Sequence, residues 1–219
     1  MTVVPAENRS AAGVAVGHTG VVQRSYDELM AALPHIAASP RDTGVLELIV
    51  RRPAVDEREV LATAELDTVV GVVGDTWNQR SSKRTEDGAP HPDMQLNLIN
   101  ARTASTVAVE LDRRPLAGDQ LFVDLDLSVD NLPAGTLLHV GSAVIEVTDQ
   151  PHNGCAKFAA RFGRDAQRWV MSPEGKQHRL RGINARVAVP GTIAQGDTIT
   201  VVRTDEPFVP ALPPVSADS

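Results

Sequence analysis

TLLHVGSAVIEVTDQPHNGCAKFAARFG, residues 136–163, holds two apolar runs that meet at Gly141-Ser142, the composition of a β-hairpin. QPHNG then reads as a tight turn leaving the second strand, and CAKFAARFG as a helix of about two turns. Phe158 and Phe162 stand four apart on one face of that helix, while Lys157, Arg161 and Arg164 occupy another. Asn153 suits the N-cap and Gly163 the C-terminal stop. On this reading Cys155 lies in the first helical turn, where free backbone N–H groups and the macrodipole favour an anion.

Cys155 is the single cysteine of a 219-residue chain. A thiol so placed, near His152 and Lys157, is expected to have a pKa below the reference of about 8.5. The resulting thiolate could act as a nucleophile, carry sulfane sulfur or bind a soft metal. The competing role is that of a small buried hydrophobe.

Outward from this stretch, strand signals dominate. LFVDLDLS (121–128) and MQLNLIN (94–100) alternate apolar and polar residues, as half-buried strands do. GVLELIVRRP (44–53) reads as a largely buried strand, and GTIAQGDTITVV (191–202) as a second hairpin turning at Gly196-Asp197. Two helices are expected besides the one after Cys155. One spans 25–36, with a Ser25/Glu28 capping box and Pro34 as its end, and the other covers ASTVAVEL (104–111). Short strands separated by Gly and Pro turns predict a mainly β, α+β chain built on a closed or nearly closed barrel. Residues 1–20 read as a loose arm, and the tail from Glu206, with four prolines, as disordered or extended.

Composition limits the function classes. With 42% apolar and 22% charged residues the chain is of ordinary globular type, and no apolar run approaches the roughly 18 residues of a membrane span. A single cysteine excludes an internal disulfide and points to the cytoplasm. Residues 150–186 carry eight Lys or Arg against Asp165 and Glu174, a net of +6 inside a chain of −7 overall. Such a basic stretch suggests an anionic ligand or, as the alternative, a solvated helix face. Acidic total charge and 3% aromatic residues argue against nucleic acid. The six histidines show no zinc spacing, and neither a Walker A loop nor a GxSxG elbow occurs.

The run GDQLFVDLDLSVDNLPAGTLLHVGSAVIEVTDQPHNGCAKFAARFG (118–163), followed by RGINARVAVPGTIAQGDTITVV (181–202), resembles the MOSC domain, named for the C-terminal domain of molybdenum cofactor sulfurases. VVGDTW (72–77) is similar to the Gly-Asp motif near that domain's start. The resemblance implies a barrel-like MOSC domain over 44–203, preceded by an arm and short helix (1–43) and followed by a Pro-rich tail (204–219). It implies that Cys155 is the cysteine proposed in that family to ligate molybdenum or carry sulfur. The expected cofactor is the anionic pterin of molybdenum, with His152, Asn153, Lys157, Arg181, Asn184, Arg186, Asn97 and Asp75 as its candidate contacts.

Several of these have bland alternatives. Arg181, Asn184 and Arg186 serve equally as outward strand residues, and Asn97, Asn100 and Arg102 as caps of the next helix. Asp75 and Trp77 follow a glycine turn and suit a barrel mouth. No pyridoxal-phosphate site is evident around Lys83, Lys157 or Lys176, so sulfur would have to come from a separate cysteine desulfurase. The expected activity is that of a small oxotransferase reducing N-hydroxylated compounds with an electron-donor protein, or of a persulfide sulfur carrier. The alternative is a non-catalytic carrier of the cofactor.

Overall fold

A computed structural model of the chain describes residues 22–203. In chain order its strands are β1 (Thr43–Arg51), β2 (Glu59–Leu61), β3 (Thr63–Asp67), β4 (Gly71–Val72), β5 (Leu96–Asn100), β6 (Leu121–Asp124), β7 (Leu137–Val140), β8 (Ala143–Val147), β9 (Ile183–Val189), β10 (Gly191–Ala194) and β11 (Thr198–Val202). The helices are α1 (Tyr26–Ala37), α2 (Ala101–Ala108), α3 (Ala156–Phe162), α4 (Arg164–Val170) and α5 (Pro173–Gln177).

Seven strands close into a mixed barrel in the order β11-β7-β8-β9-β5-β6-β1, with β1 returning to β11. Among the described residues only the β5–β6 pair is parallel, and the crossover between those strands is α2 with a 3-10 segment, as a parallel connection requires. β1 can serve three partners because it is long. Thr43–Val45 pair with β11, Val45–Ile49 with β6 across a bulge at Leu46/Leu48, and Ile49–Arg51 with β2. A small sheet, β10-β3-β4, is hydrogen-bonded separately from the barrel strands, and its Ala64, Leu66, Val72 and Ile193 pack into the barrel's apolar core.

Strand alternation divides the apolar residues between two cores. Leu46, Ile49, Leu96, Leu98, Leu121, Val123, Ile145 and Ile183 fill the barrel. Leu48, Val50, Ile99 and Phe122 point outward from the same strands and meet Leu29 of α1, Val107 of α2, Phe158 and Phe162 of α3, and Trp169 of α4. One wall of the barrel is therefore buried on both faces, which is why β1 reads as a continuous apolar run in its second half. Its first half is one-sided, with Val45 and Glu47 exposed. Among the described residues no helix is long and apolar enough to cross a membrane.

Four local expectations are corrected. The Ser25/Glu28 capping box is present, but Pro34 lies inside α1, which runs on to Ala37. Burial of Ile36 and the bonds from Ala38 N–H to the Pro34 carbonyl and from Ser39 Oγ to the Ile36 carbonyl hold that last turn. The second helix begins at Ala101 and not at residue 104, because Asn100 caps it by accepting from the Arg102 and Thr103 N–H groups. β10 and β11 are not a hairpin. The turn at Gly196-Asp197 forms, but Gly196 N–H donates to the Leu46 carbonyl and Leu46 N–H to the Asp197 carbonyl, so it is drawn onto β1 and its arms diverge into separate sheets. Finally, the N-cap of α3 is Cys155, not Asn153. The arm of residues 1–20 and the tail from Glu206 lie outside the described residues.

Candidate functional site

At one end of the barrel the strands deliver charged residues into its wall. Arg52, directly after β1, is 3% exposed. Its Nε and Nη2 donate to the two oxygens of Asp75 at 2.8 and 2.7 Å, and its Nη1 donates to Asn97 Oδ1 and the Gly118 carbonyl. Asp75 also accepts from the Arg52 and Trp77 backbone N–H groups. Burial alone would raise the Asp75 pKa, but the Arg52 guanidinium and these backbone donors outweigh it and hold the carboxyl below its ordinary value.

A second buried pair lies beside the first. Arg181 Nη1 donates to both oxygens of Asp119 at 2.9 and 2.8 Å, Nη2 donates to the Ala117 carbonyl, and the guanidinium stands 5.0 Å over the Phe158 ring. Burial pushes the Asp119 carboxyl up, with Arg181 opposing. His152 Nδ1 lies 3.4 Å from Asp119 and has no hydrogen-bond partner. Burial, followed by the cations Arg181 and Arg52, lowers the His152 pKa well below 6.5. The imidazole is neutral at pH 7, and the 3.4 Å approach is not an ion pair.

The Arg52–Asp75 pair is extended across β5 and β9, where Asn97, which accepts from Arg52 Nη1, and Asn184 are direct neighbours. Asn97 Nδ2 donates to Asn184 Oδ1 at 2.6 Å, and Asn184 Nδ2 donates to the Gln150 carbonyl. This line of amides anchors the loop that leads to Cys155. The loop is also pinned to α4, for Gly154 N–H donates to Met171 Sδ and Gln167 Nε2 to the Gly154 carbonyl. These contacts delay the start of α3 by two residues relative to the sequence expectation. Cys155 is exposed at the resulting N-cap, and its side chain makes no cap hydrogen bond.

Cations gather next to this helix. Lys157 and Arg161 both reach Asp56, at 3.1 and 2.8 Å. A Cβ placed on Gly118 would lie 3.6 Å from Arg58 Nη2 and 3.8 Å from Arg161 Nη1, so the two guanidinium groups converge there. Arg58 Nε is buried without a partner, and burial followed by the charges of Arg161 and Arg52 disfavours its cationic form. A group so placed gains from an anion.

Two cavities lie near the Asn97–Asn184 pair, one lined by Asn97 and the other by Gln150, whose carbonyl accepts from Asn184. The first, a cleft of about 310 Å³, is lined by Arg52, Trp77, Arg80, His91, Met94 and Asn97 among others. The second, about 330 Å³, is lined by residues that include His152, Asn153, Met171, Lys176, Arg179 and Arg181. Cys155 lines neither of these. Among the described residues no three His, Cys, Asp or Glu side chains are grouped so as to hold a metal ion.

Residues 85–200 match the MOSC domain family, more than half of the 219-residue chain. The chain belongs to the MOSC domain family. Two solved structures with TM-scores above 0.5 agree on the fold of this MOSC protein. The YuaD protein of Bacillus subtilis is similar at 17% identity and a TM-score of 0.52, over 73% of this chain and 95% of that one. A hypothetical protein is similar at 19% identity and a TM-score of 0.51, over 74% and 69%. YiiM of Escherichia coli matches at 20% identity and a TM-score of 0.48, over 73% and 70%. No curated protein matches the chain.

Within this MOSC fold the residues expected from sequence are distributed unevenly. Asn97 lines the first cleft with Asp75 bonded behind it through Arg52, and Asn184 joins it to the loop. His152, Asn153 and Arg181 line the second cavity. Lys157 is paired with Asp56. Arg186 is not brought to either cavity, because it points outward to Glu146 and Asp93. Asn100 and Arg102 take structural roles, Asn100 as the cap of α2 and Arg102 as the partner of Asp124. Sequence reasoning missed Arg52, Arg58 and Arg80, which lie outside the basic segment. The only sequence signal was the RRP at the end of β1.

Proposed function

We propose that this MOSC protein binds the molybdenum cofactor with Cys155 as its protein thiolate. The observation that carries the reading is the exposed Cys155 at the start of α3, with Lys157 and Arg161 on the same helix and Arg58 converging on Arg161. The residues present fit such a group. The unpartnered Arg58 Nε suits a phosphate, and the amide of Asn97 and the Trp77 ring in the cleft suit a flat, hydrogen-bonding pterin. A metal that brings its own sulfur ligands needs only one from the protein, and Cys155 supplies it. When bound, the cofactor would supply a two-electron redox centre.

The chain's own residues then have defined tasks. Arg58, Arg80 and Arg161 hold negative charge, with Lys157 at the edge. Asn97, fixed by Arg52 and Asn184, orients the pterin. His152 and Asn153 shape the loop that presents Cys155, and neutral His152 can accept or donate a hydrogen bond without adding charge. The alternative chemistry uses the exposure of Cys155 differently. Its thiolate attacks the outer sulfur of a desulfurase persulfide, becomes a persulfide itself and releases the donor thiolate.

The test is turnover. Protein loaded in a cofactor-producing host is assayed for reduction of an N-hydroxylated base by an artificial two-electron donor, giving the amine and water. An enzyme turns over repeatedly and loses activity in Cys155→Ser. A carrier shows only stoichiometric transfer of cofactor to an acceptor protein.

A further inference from the structure

The second cavity has features that binding of the cofactor in the first cleft leaves unexplained. Arg181 is 6% exposed and lines it, yet its Nε has no hydrogen-bond partner. His152 Nδ1 is likewise buried and unpartnered. Two further cations, Lys176 and Arg179, share the lining with apolar Val170, Met171 and Ile183. Such a mixture of apolar wall and few convergent polar groups is typical of a small-molecule site.

The backbone makes the same point at Arg179. After α5, Leu180 N–H donates to the Gly175 carbonyl and His178 N–H to the Glu174 carbonyl, closing the helix end. Arg179 occupies the position past the cap with φ +45°, where glycine is the least strained residue. The strained position carries a half-buried guanidinium whose charge is disfavoured by burial. One N–H of that group donates to the Leu132 carbonyl, which leaves further donors in the cavity wall.

We propose that this cavity binds a small organic carboxylate, its anionic end held by Lys176, Arg179 and Arg181 and its apolar body against Val170, Met171 and Ile183. The charge balance selects a monoanion. Arg181 is already paired with Asp119, Asp149 lies in the lining, and His152 contributes no charge. A polyphosphate would exceed the positive charge available. The volume, near the lower end of the roughly 300–1,000 Å³ range of ligand pockets, selects a small molecule. The site goes beyond the cofactor reading and is independent of it.

Benzoate is the probe, with benzyl alcohol as its uncharged counterpart and inorganic phosphate as the anion without an apolar body. Full-length protein from a host lacking the cofactor is titrated with each, followed by ligand-observed NMR. Benzoate is expected to bind about tenfold or more tightly than either control, a margin set by charge-assisted bonds plus apolar burial. Lys176→Glu, at an exposed position, and Arg179→Gly, which relieves the backbone, should each weaken benzoate about tenfold or more while circular dichroism is unchanged. Benzoate binding no tighter than benzyl alcohol or phosphate, or binding that survives Lys176→Glu undiminished, overturns the proposal. Because no cofactor is present, neither result bears on the role of Cys155.

Discussion

Arg181 and Asp119 form a two-point pair inside the barrel wall, Nη1 standing 2.9 and 2.8 Å from the two carboxylate oxygens, with side chains 7% and 0% exposed. Removing one partner strands the other's charge away from water. Arg181→Met is expected to cost about 3–5 kcal/mol in a urea unfolding titration. Arg181→Met combined with Asp119→Leu should recover much of that loss, since neither charge is then left alone. A double variant as unstable as the single would show that the pair has a further buried partner.

His152 makes stability depend on pH in a definite direction. Its folded pKa lies well below the ordinary 6.5, owing to burial and then to Arg181 and Arg52. The unfolded chain therefore takes up a proton at a pH where the folded chain does not, and stability falls as pH drops below about 6.5 towards the folded value. The slope from this one group reaches about 1.4 kcal/mol per pH unit. Asp119 faces His152 but, with its pKa raised, titrates with the opposite sign in the acid range. His152→Asn should flatten the slope between pH 5 and 6.5 relative to the parent, read from urea midpoints on a scale of about 1 kcal/mol or more.

How far the sequence carried depends on the kind of order involved. β5 and β6 were legible because a period-two pattern survives any tertiary arrangement, and β1, β7 and β8 because apolar runs of strand length end at turn residues. The hairpin expected at residues 191–202 failed because its turn is claimed by Leu46, about 150 residues away, and no local signal records that. The N-cap moved from Asn153 to Cys155 for a similar reason, the bond of Gly154 to Met171. Cys155 itself was legible as the lone cysteine. The surplus of positive charge after residue 150 was partly illusory, since Arg181 and Arg186 are consumed by acids. The arginines that meet near Gly118 come from opposite halves of the chain, and only barrel closure brings them together.

Gly182 should tolerate no side chain. Its φ is +105°, and an added Cβ would collide with the Leu98 carbonyl oxygen and lie 3.1 Å from His152 Nδ1. Gly182→Ala is expected to lower stability by about 2 kcal/mol or more. A thermal shift of negligible size would mean that β9 can slide away from β5.

The anion site proposed near Gly118 predicts that phosphate raises the melting temperature more than chloride does at equal ionic strength. Arg58→Ala should remove most of that difference, because its Nε is the unpartnered donor. Arg186→Ala should leave it intact, Arg186 being engaged by Glu146 and Asp93. The reverse ranking would move the site to the outer face of β9.

Cys155 is exposed and caps α3 without a side-chain bond, so Cys155→Ser should be as stable as the parent or more stable by up to about 1 kcal/mol, serine being a better N-cap. That makes it a clean variant for the most direct test of the central claim, the molybdenum and oxidised-pterin content of the protein purified from a cofactor-producing host. The parent is predicted to carry both in stoichiometric amount, and Cys155→Ser to lose the molybdenum. Absence of both from the parent, or full molybdenum content in Cys155→Ser, would contradict the assignment of Cys155 as the metal's protein ligand.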